Sequence, residues 1–134
     1  MLNALEISDK LPHRFPMLML DEVAEVTSER AVGYKNVTMN EPHFRGHFPE
    51  APVMPGVLVM EGLCQLAWIW SGHDGHVRMT GIKKLRFRRP TMPGDRLKLE
   101  IELLERSETG FVLKALASVE GDPSVTGQLT FVLE

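Results

Sequence analysis

The chain has 134 residues, 43% of them hydrophobic and 25% charged, with a formal net charge of −3 at pH 7. This suits one globular domain over residues 1–134, able to bury about two-thirds of its unfolded surface, and gives no general attraction for nucleic acid. A lone cysteine, Cys64, excludes a disulfide framework within the chain, and the opening MLNALEISDKLPHRFP lacks the pattern of a secretory signal, so a soluble, cytoplasmic protein is expected.

In chain order, residues 1–10 hold Leu2, Leu5 and Ile7 in a weak helical pattern. Leu11-Pro12-His13-Arg14-Phe15-Pro16 cannot be regular helix, because each proline drives its predecessor towards extended geometry. Residues 18–26 and 30–39 read as strands around the turn Thr27-Ser28-Glu29. Residues 40–54, with Pro42, Pro49 and Pro52, read as a long irregular loop of the kind that carries function in a small domain. Residues 55–71, PGVLVMEGLCQLAWIWS, read as a helix roughly 25 Å long, opened by Pro55 and closed at Gly72. It is apolar on nearly every side, which places it inside something. It is shorter than a usual membrane span and carries Glu61 and Gln65, so no membrane role is expected.

Four more strands follow at about 80–88, 95–105, 111–119 and 124–133. The joints Pro93-Gly94-Asp95, Glu108-Thr109-Gly110 and Gly121-Asp122-Pro123 have turn chemistry. Leu97, Leu99, Ile101 and Leu103 alternate with Lys98, Glu100 and Glu102, so one sheet face is buried and the other wet. The economical architecture is α+β, a curved antiparallel sheet of about six strands around one central helix.

Glu61 and Gln65 are four apart and share one face of that helix. A carboxylate in a buried helix is costly to keep ionised and unpaired, so Glu61 either finds an exposed edge or has a task. The preceding loop carries Pro42-His43-Phe44-Arg45-Gly46-His47-Phe48-Pro49, with His47 14 positions before Glu61. A histidine titrates near neutrality and a desolvated Glu can hold a proton, which makes a base and an acid. At Pro55-Gly56, backbone N–H groups at a helix start, with no side chain on Gly56, can polarise a carbonyl oxygen. This set suits proton removal beside a carbonyl with loss of a leaving group one carbon further on. The pairs His43/His47 and His73/His76 have zinc-like spacing. The first lies in a proline-rich loop and no cysteine pair completes either, so no metal is expected. The basic run Lys83, Lys84, Arg86, Arg88 and Arg89 suits a wet strand face or a landing strip for an acidic partner. It has no interleaved aromatic platform, which argues against nucleic acid.

Several runs together resemble the hydroxyacyl-ACP dehydratases of the FabZ type. They are Leu11-Pro12-His13-Arg14-Phe15-Pro16, then Lys35-Asn36-Val37-Thr38-Met39-Asn40-Glu41-Pro42, then Gly46-His47-Phe48-Pro49 with Pro52-Val53-Met54-Pro55-Gly56-Val57. Glu61 with Gln65, Phe87-Arg88-Arg89-Pro90 and Pro93-Gly94-Asp95 complete the series. The resemblance implies a hot-dog fold, a homodimer that can assemble as a trimer of dimers, and dehydration of (3R)-hydroxyacyl thioesters on acyl carrier protein to trans-2-enoyl thioesters. It makes His47 the catalytic base and Glu61 the acid, the latter from the partner's helix, with the Gly56 N–H on the thioester carbonyl. Phe48, Pro55, Gly56, Val57 and Gln65 would contact substrate, and the basic run would receive the carrier protein. No metal or organic cofactor is implied.

Two features depart from or refine that pattern. Related FabA-type dehydratase-isomerases carry Asp at the acidic position, so Glu61 favours plain dehydration. The segment 72–80 is short and lacks the aromatic residue that usually gates the acyl tunnel before Gly81-Ile82; Met79 stands near that place. The rival readings are a hot-dog thioesterase and a non-catalytic acyl-binding subunit of a hetero-oligomer.

Overall fold

Helix α1 (Ala4–Lys10) opens the computed structural model, which describes residues 1–45 and 53–134. Its cap is reciprocal: the Asn3 side chain accepts the Glu6 N–H, and the Glu6 carboxylate accepts the Asn3 N–H. That pairing satisfies two otherwise orphaned donors and offsets the weakness of a short helix. The helix pins Ile7, fully buried, into the core.

Strands β1 (Glu22–Val26) and β2 (Arg30–Asn36) form the first hairpin. A 3-10 turn (Pro42–Arg45) precedes helix α2 (Gly56–Ser71). Strands β3 (Val77–Phe87), β4 (Arg96–Arg106), β5 (Gly110–Val119) and β6 (Asp122–Leu133) complete a six-stranded sheet in the order β1-β2-β4-β5-β6-β3, antiparallel at every pairing. The fold is thus α+β and hot-dog-like, a six-stranded antiparallel sheet with helices. β1 and β3 are its edges.

The expected alternation in β4 holds: Leu97, Leu99 and Ile101 are buried, Leu103 is half-buried, and Glu102 is exposed. Several boundaries differ from the sequence expectation, among them the end of β2 at Asn36 rather than near residue 39. β1 begins at Glu22 rather than near residue 18, because the Met19 N–H is given to the Gln65 side chain and strand pairing starts only with Asp21 N–H on Tyr34 C=O. β3 begins at Val77 rather than near residue 80. The β5–β6 turn is centred on Glu120-Gly121, with φ of 49° and 86°, so Asp122 and Pro123 already lie in β6. Two successive left-handed residues make the turn whose twist matches that of the flanking strands.

Helix α2 packs against β2, β3, β4, β5 and β6. Leu63, Leu66 and Ala67 are buried against the sheet, and Trp70 Nε1 donates to Thr27 C=O, tying the helix end to the first hairpin. Pro55 caps the helix from outside, one residue before its first turn, and Gly72 closes it in the left-handed conformation with φ of 65°. The helix is not buried all round, as its composition had suggested. Val57, Glu61, Cys64 and Trp68, at successive turns of one face, stay exposed or half-buried.

Glycine at position 33 lets helix and sheet meet closely. A Cβ there would stand 3.1 Å from the Leu20 side chain and 3.2 Å from that of Leu66 on α2. Gly33→Val overpacks this contact and is expected to lower unfolding free energy by about 1–3 kcal/mol. Urea titration should show an earlier midpoint with an unchanged slope; an unchanged midpoint would mean that the helix seat is looser than these distances say.

Candidate active site

The site is organised by one amide. Gln65 is fully buried, and its Oε1 accepts the Met19 N–H at 2.7 Å while its Nε2 donates to Met17 C=O at 2.7 Å and to Glu61 Oε1 at 3.1 Å. A buried amide is costly unless its hydrogen bonds are made, and here both ends are occupied. The spacing of four on α2 puts Glu61 directly over it.

His13 joins this group. Its Nε2 lies 3.4 Å from Glu61 Oε1, and its ring meets Trp68 edge-on with centroids 5.4 Å apart. Its Nδ1 is buried with no partner among the described residues. The run around His13 reads in the sequence as non-helical and as part of the family likeness; nothing in its spacing says that this loop folds back onto α2. Glu61 Oε1 therefore has two neighbours, while its Oε2 has no partner among the described residues. The carboxylate is partly exposed, with 31% of its side chain accessible in the single chain.

Beside Glu61 lies a cavity of about 230 Å³ lined by His13, Cys64, Gln65, Trp68, Val77 and Met79. Cys64 donates its thiol to the Met79 sulfur at 3.8 Å. Burial pushes the Cys64 thiol up to about 12, and the Glu61 carboxylate adds to the rise. A thiol held neutral cannot act as a nucleophile at physiological pH.

The helix start is less open than the sequence suggested. A Cβ on Gly56 would overlap the Phe87 ring, so the space freed by glycine is filled by that aromatic side chain. Val57, with 68% exposure, faces outward beside it. Pro55 C=O accepts the N–H groups of Leu58 and Val59. His47 and Phe48 lie outside the described residues. His43 lies 3.5 Å from Glu41, which also pairs with Lys35. His73 Nε2 lies 2.8 Å from Glu134 C=O, and the His76 ring meets Trp68.

The basic run divides. Lys83, Lys84, Arg86 and Arg88 are exposed and make no ion pair among the described residues. Arg89 is already engaged, 3.2 Å from Asp122 and 3.9 Å from Asp95. It braces the sheet rather than presenting a free charge. Lys84 has φ of 55° within an irregular stretch of β3 that breaks the pairing register with β6 between Lys83 and Arg86.

Comparison with known proteins places this geometry. Residues 11–128 match the model of the FabA-like domain. The chain is 44% identical to a 3-hydroxyacyl-[acyl-carrier-protein] dehydratase FabZ of Clostridium perfringens, covering 99% of each chain. It is 46% identical to the protein of that name from Clostridium novyi, covering 98% of this chain and 97% of the relative. Among solved structures, the dehydratase heterocomplex ApeI:P from Xenorhabdus doucetiae superposes with a TM-score of 0.79 at 22% identity, over 96% of this chain and 90% of the other. That likeness is one of fold. Among the described residues, no helix is long and apolar enough to cross a membrane.

The raised thiol pKa has a measurable consequence. Thiolate is the reactive form, and raising the folded pKa to about 12 leaves little of it near neutral pH. Iodoacetamide should alkylate native Cys64 at least about a hundredfold more slowly than the same residue in the urea-unfolded chain. Equal rates, followed by mass spectrometry, would show that the thiol is neither buried nor held neutral.

Proposed function

The chain belongs to the FabA-like family, and on that premise we propose that it removes water from (3R)-hydroxyacyl thioesters carried on acyl carrier protein, giving trans-2-enoyl thioesters. The observation that carries this reading is the state of Glu61. One carboxylate oxygen is held by Gln65 and neighboured by His13, the other has no partner among the described residues, and the side chain lines a cavity that Cys64, Trp68, Val77 and Met79 also line. That is how a proton donor has to be presented: fixed at one atom and available at the other.

In the reaction, His47 takes a proton from C2 while protonated Glu61 gives one to the departing C3 hydroxyl. The C2–H electrons form the new double bond, the C3–O bond breaks, and water leaves. The proton gained by His47 balances the one lost by Glu61. The Gly56 N–H at the start of α2 receives the thioester oxygen, with Pro55, Val57 and Phe48 around the reacting carbons. General acid–base help of this kind is worth about 10²–10⁴-fold for each group. The whole of 1–134 works as one domain.

The working unit is a homodimer, which can further assemble as a trimer of dimers, and His47 meets the Glu61 of the other chain. Support comes from what one chain leaves uncovered. Edge strand β3 is exposed at Ile82 and Phe87, and Phe87 packs against Gly56 at the start of α2, where Val57 is also exposed. An unpaired edge flanked by apolar side chains suits pairing with a second copy. Within each chain the sheet curves around α2. The exposed Lys83, Lys84, Arg86 and Arg88 receive the acidic carrier protein, whose approach they would steer.

Incubation with 3-hydroxybutyryl carrier protein should yield a product lighter by one water. Release of free acid would indicate a thioesterase, and an unchanged thioester a non-catalytic subunit. Either result rejects the dehydratase reading. His47→Ala and Glu61→Gln should each lower kcat by at least about a hundredfold with the fold retained. A folded variant at either position that keeps more than about a tenth of the rate removes that residue from the acid–base pair.

A further inference from the structure

Trp68 lies on the same face of α2 as Glu61, two turns further along, roughly 10 Å at the usual helical rise. Trp68 belongs to the lining of the Glu61 cavity and also to that of a second cavity of about 500 Å³, whose other walls include Pro12 and Ile69 along with the polar Asp9, Lys10, Asp74 and His76. Two rings contact it. His13, which lines the smaller cavity, meets it at 5.4 Å and 86°, and His76, which lines the larger one, at 5.7 Å and 63°. The indole is therefore a partition between the two spaces.

The chemistry of the smaller space says what fits there. His13 and Gln65 line it beside Glu61, and its other walls are Cys64, Val77, Met79 and Trp68, which suit an alkyl tail. Within one chain it measures about 230 Å³, below the roughly 300 Å³ at which pockets begin to enclose larger ligands. Met79 has an unbranched, adaptable side chain and forms a side wall that can yield. The planar indole, gripped by two rings, does not yield in the same way.

We propose that Trp68 is the specificity-determining wall of the acyl site, confining this enzyme to short-chain 3-hydroxyacyl thioesters by closing the Glu61 cavity against the larger one. Removing the indole joins the two spaces and admits longer chains. The proposal rests on the dehydratase reading above and assigns the substrate class of that same site.

The test is a series of carrier-protein thioesters from 3-hydroxybutyryl to 3-hydroxyhexadecanoyl, assayed with wild type, Trp68→Ala and Trp68→Leu. In the wild type, kcat/KM should fall by about tenfold or more from the shortest to the longest substrate, and in a folded variant the long-to-short ratio should rise by about tenfold or more. A folded variant that keeps the wild-type ratio overturns the proposal. So does a wild type that turns over the longest substrate as well as the shortest. Should neither variant fold, the wild-type profile decides: a short-chain cut-off supports the wall, and its absence removes it. Failure to lose water at any chain length is a different result, which rejects the dehydratase reading itself.

Discussion

The buried amide of Gln65 is the interaction on which the site depends. It ties the middle of α2 to the segment before β1 through Met17 C=O and the Met19 N–H, and the same group holds Glu61. Removing the amide would orphan the Met19 N–H in a dry place, at a cost of about 1–3 kcal/mol. One side chain thus joins a packing requirement to a functional one. Glu61 is anchored by the same amide that takes the Met19 N–H out of strand pairing before β1.

A second constraint is the mismatch between the composition of α2 and its burial. A helix apolar on nearly every side asks for cover on every side, and a single chain covers only part of it. Of the uncovered line from Val57 through Glu61 and Cys64 to Trp68, the last three residues also line the cavity. Substrate and a second chain are the two kinds of cover that the proposed function supplies. The half-exposure of Glu61 in one chain fits a residue that finishes its environment on assembly.

Much of this was legible in the sequence because its signals were periodic or punctuating. The alternation of β4, the left-handed glycine at the end of α2 and the helix–turn rhythm all follow from local chemistry. The capping box of α1 was also readable in Asn3 and Glu6, although three scattered apolar residues concealed it. What stayed hidden depends on tertiary placement. Glu120 adopts a left-handed conformation that its residue type does not advertise. The approach of His13 to Glu61, the filling of the Gly56 gap by Phe87, and the position of Trp68 between two cavities each join residues far apart in the chain. Arg89 reads as one more basic residue until Asp95 and Asp122 are seen beside it.

The central claim is that Glu61 on one chain serves the His47 of another. Co-expression of His47→Ala and Glu61→Gln chains carrying different tags, followed by tandem purification, isolates the mixed dimer. Two-fold symmetry then gives one site with both lesions and one with neither, so the mixed species should regain about half of wild-type activity although each parent is inactive. A purified mixed dimer as inactive as its parents would contradict the shared site, because a site built within one chain leaves a lesion in every copy.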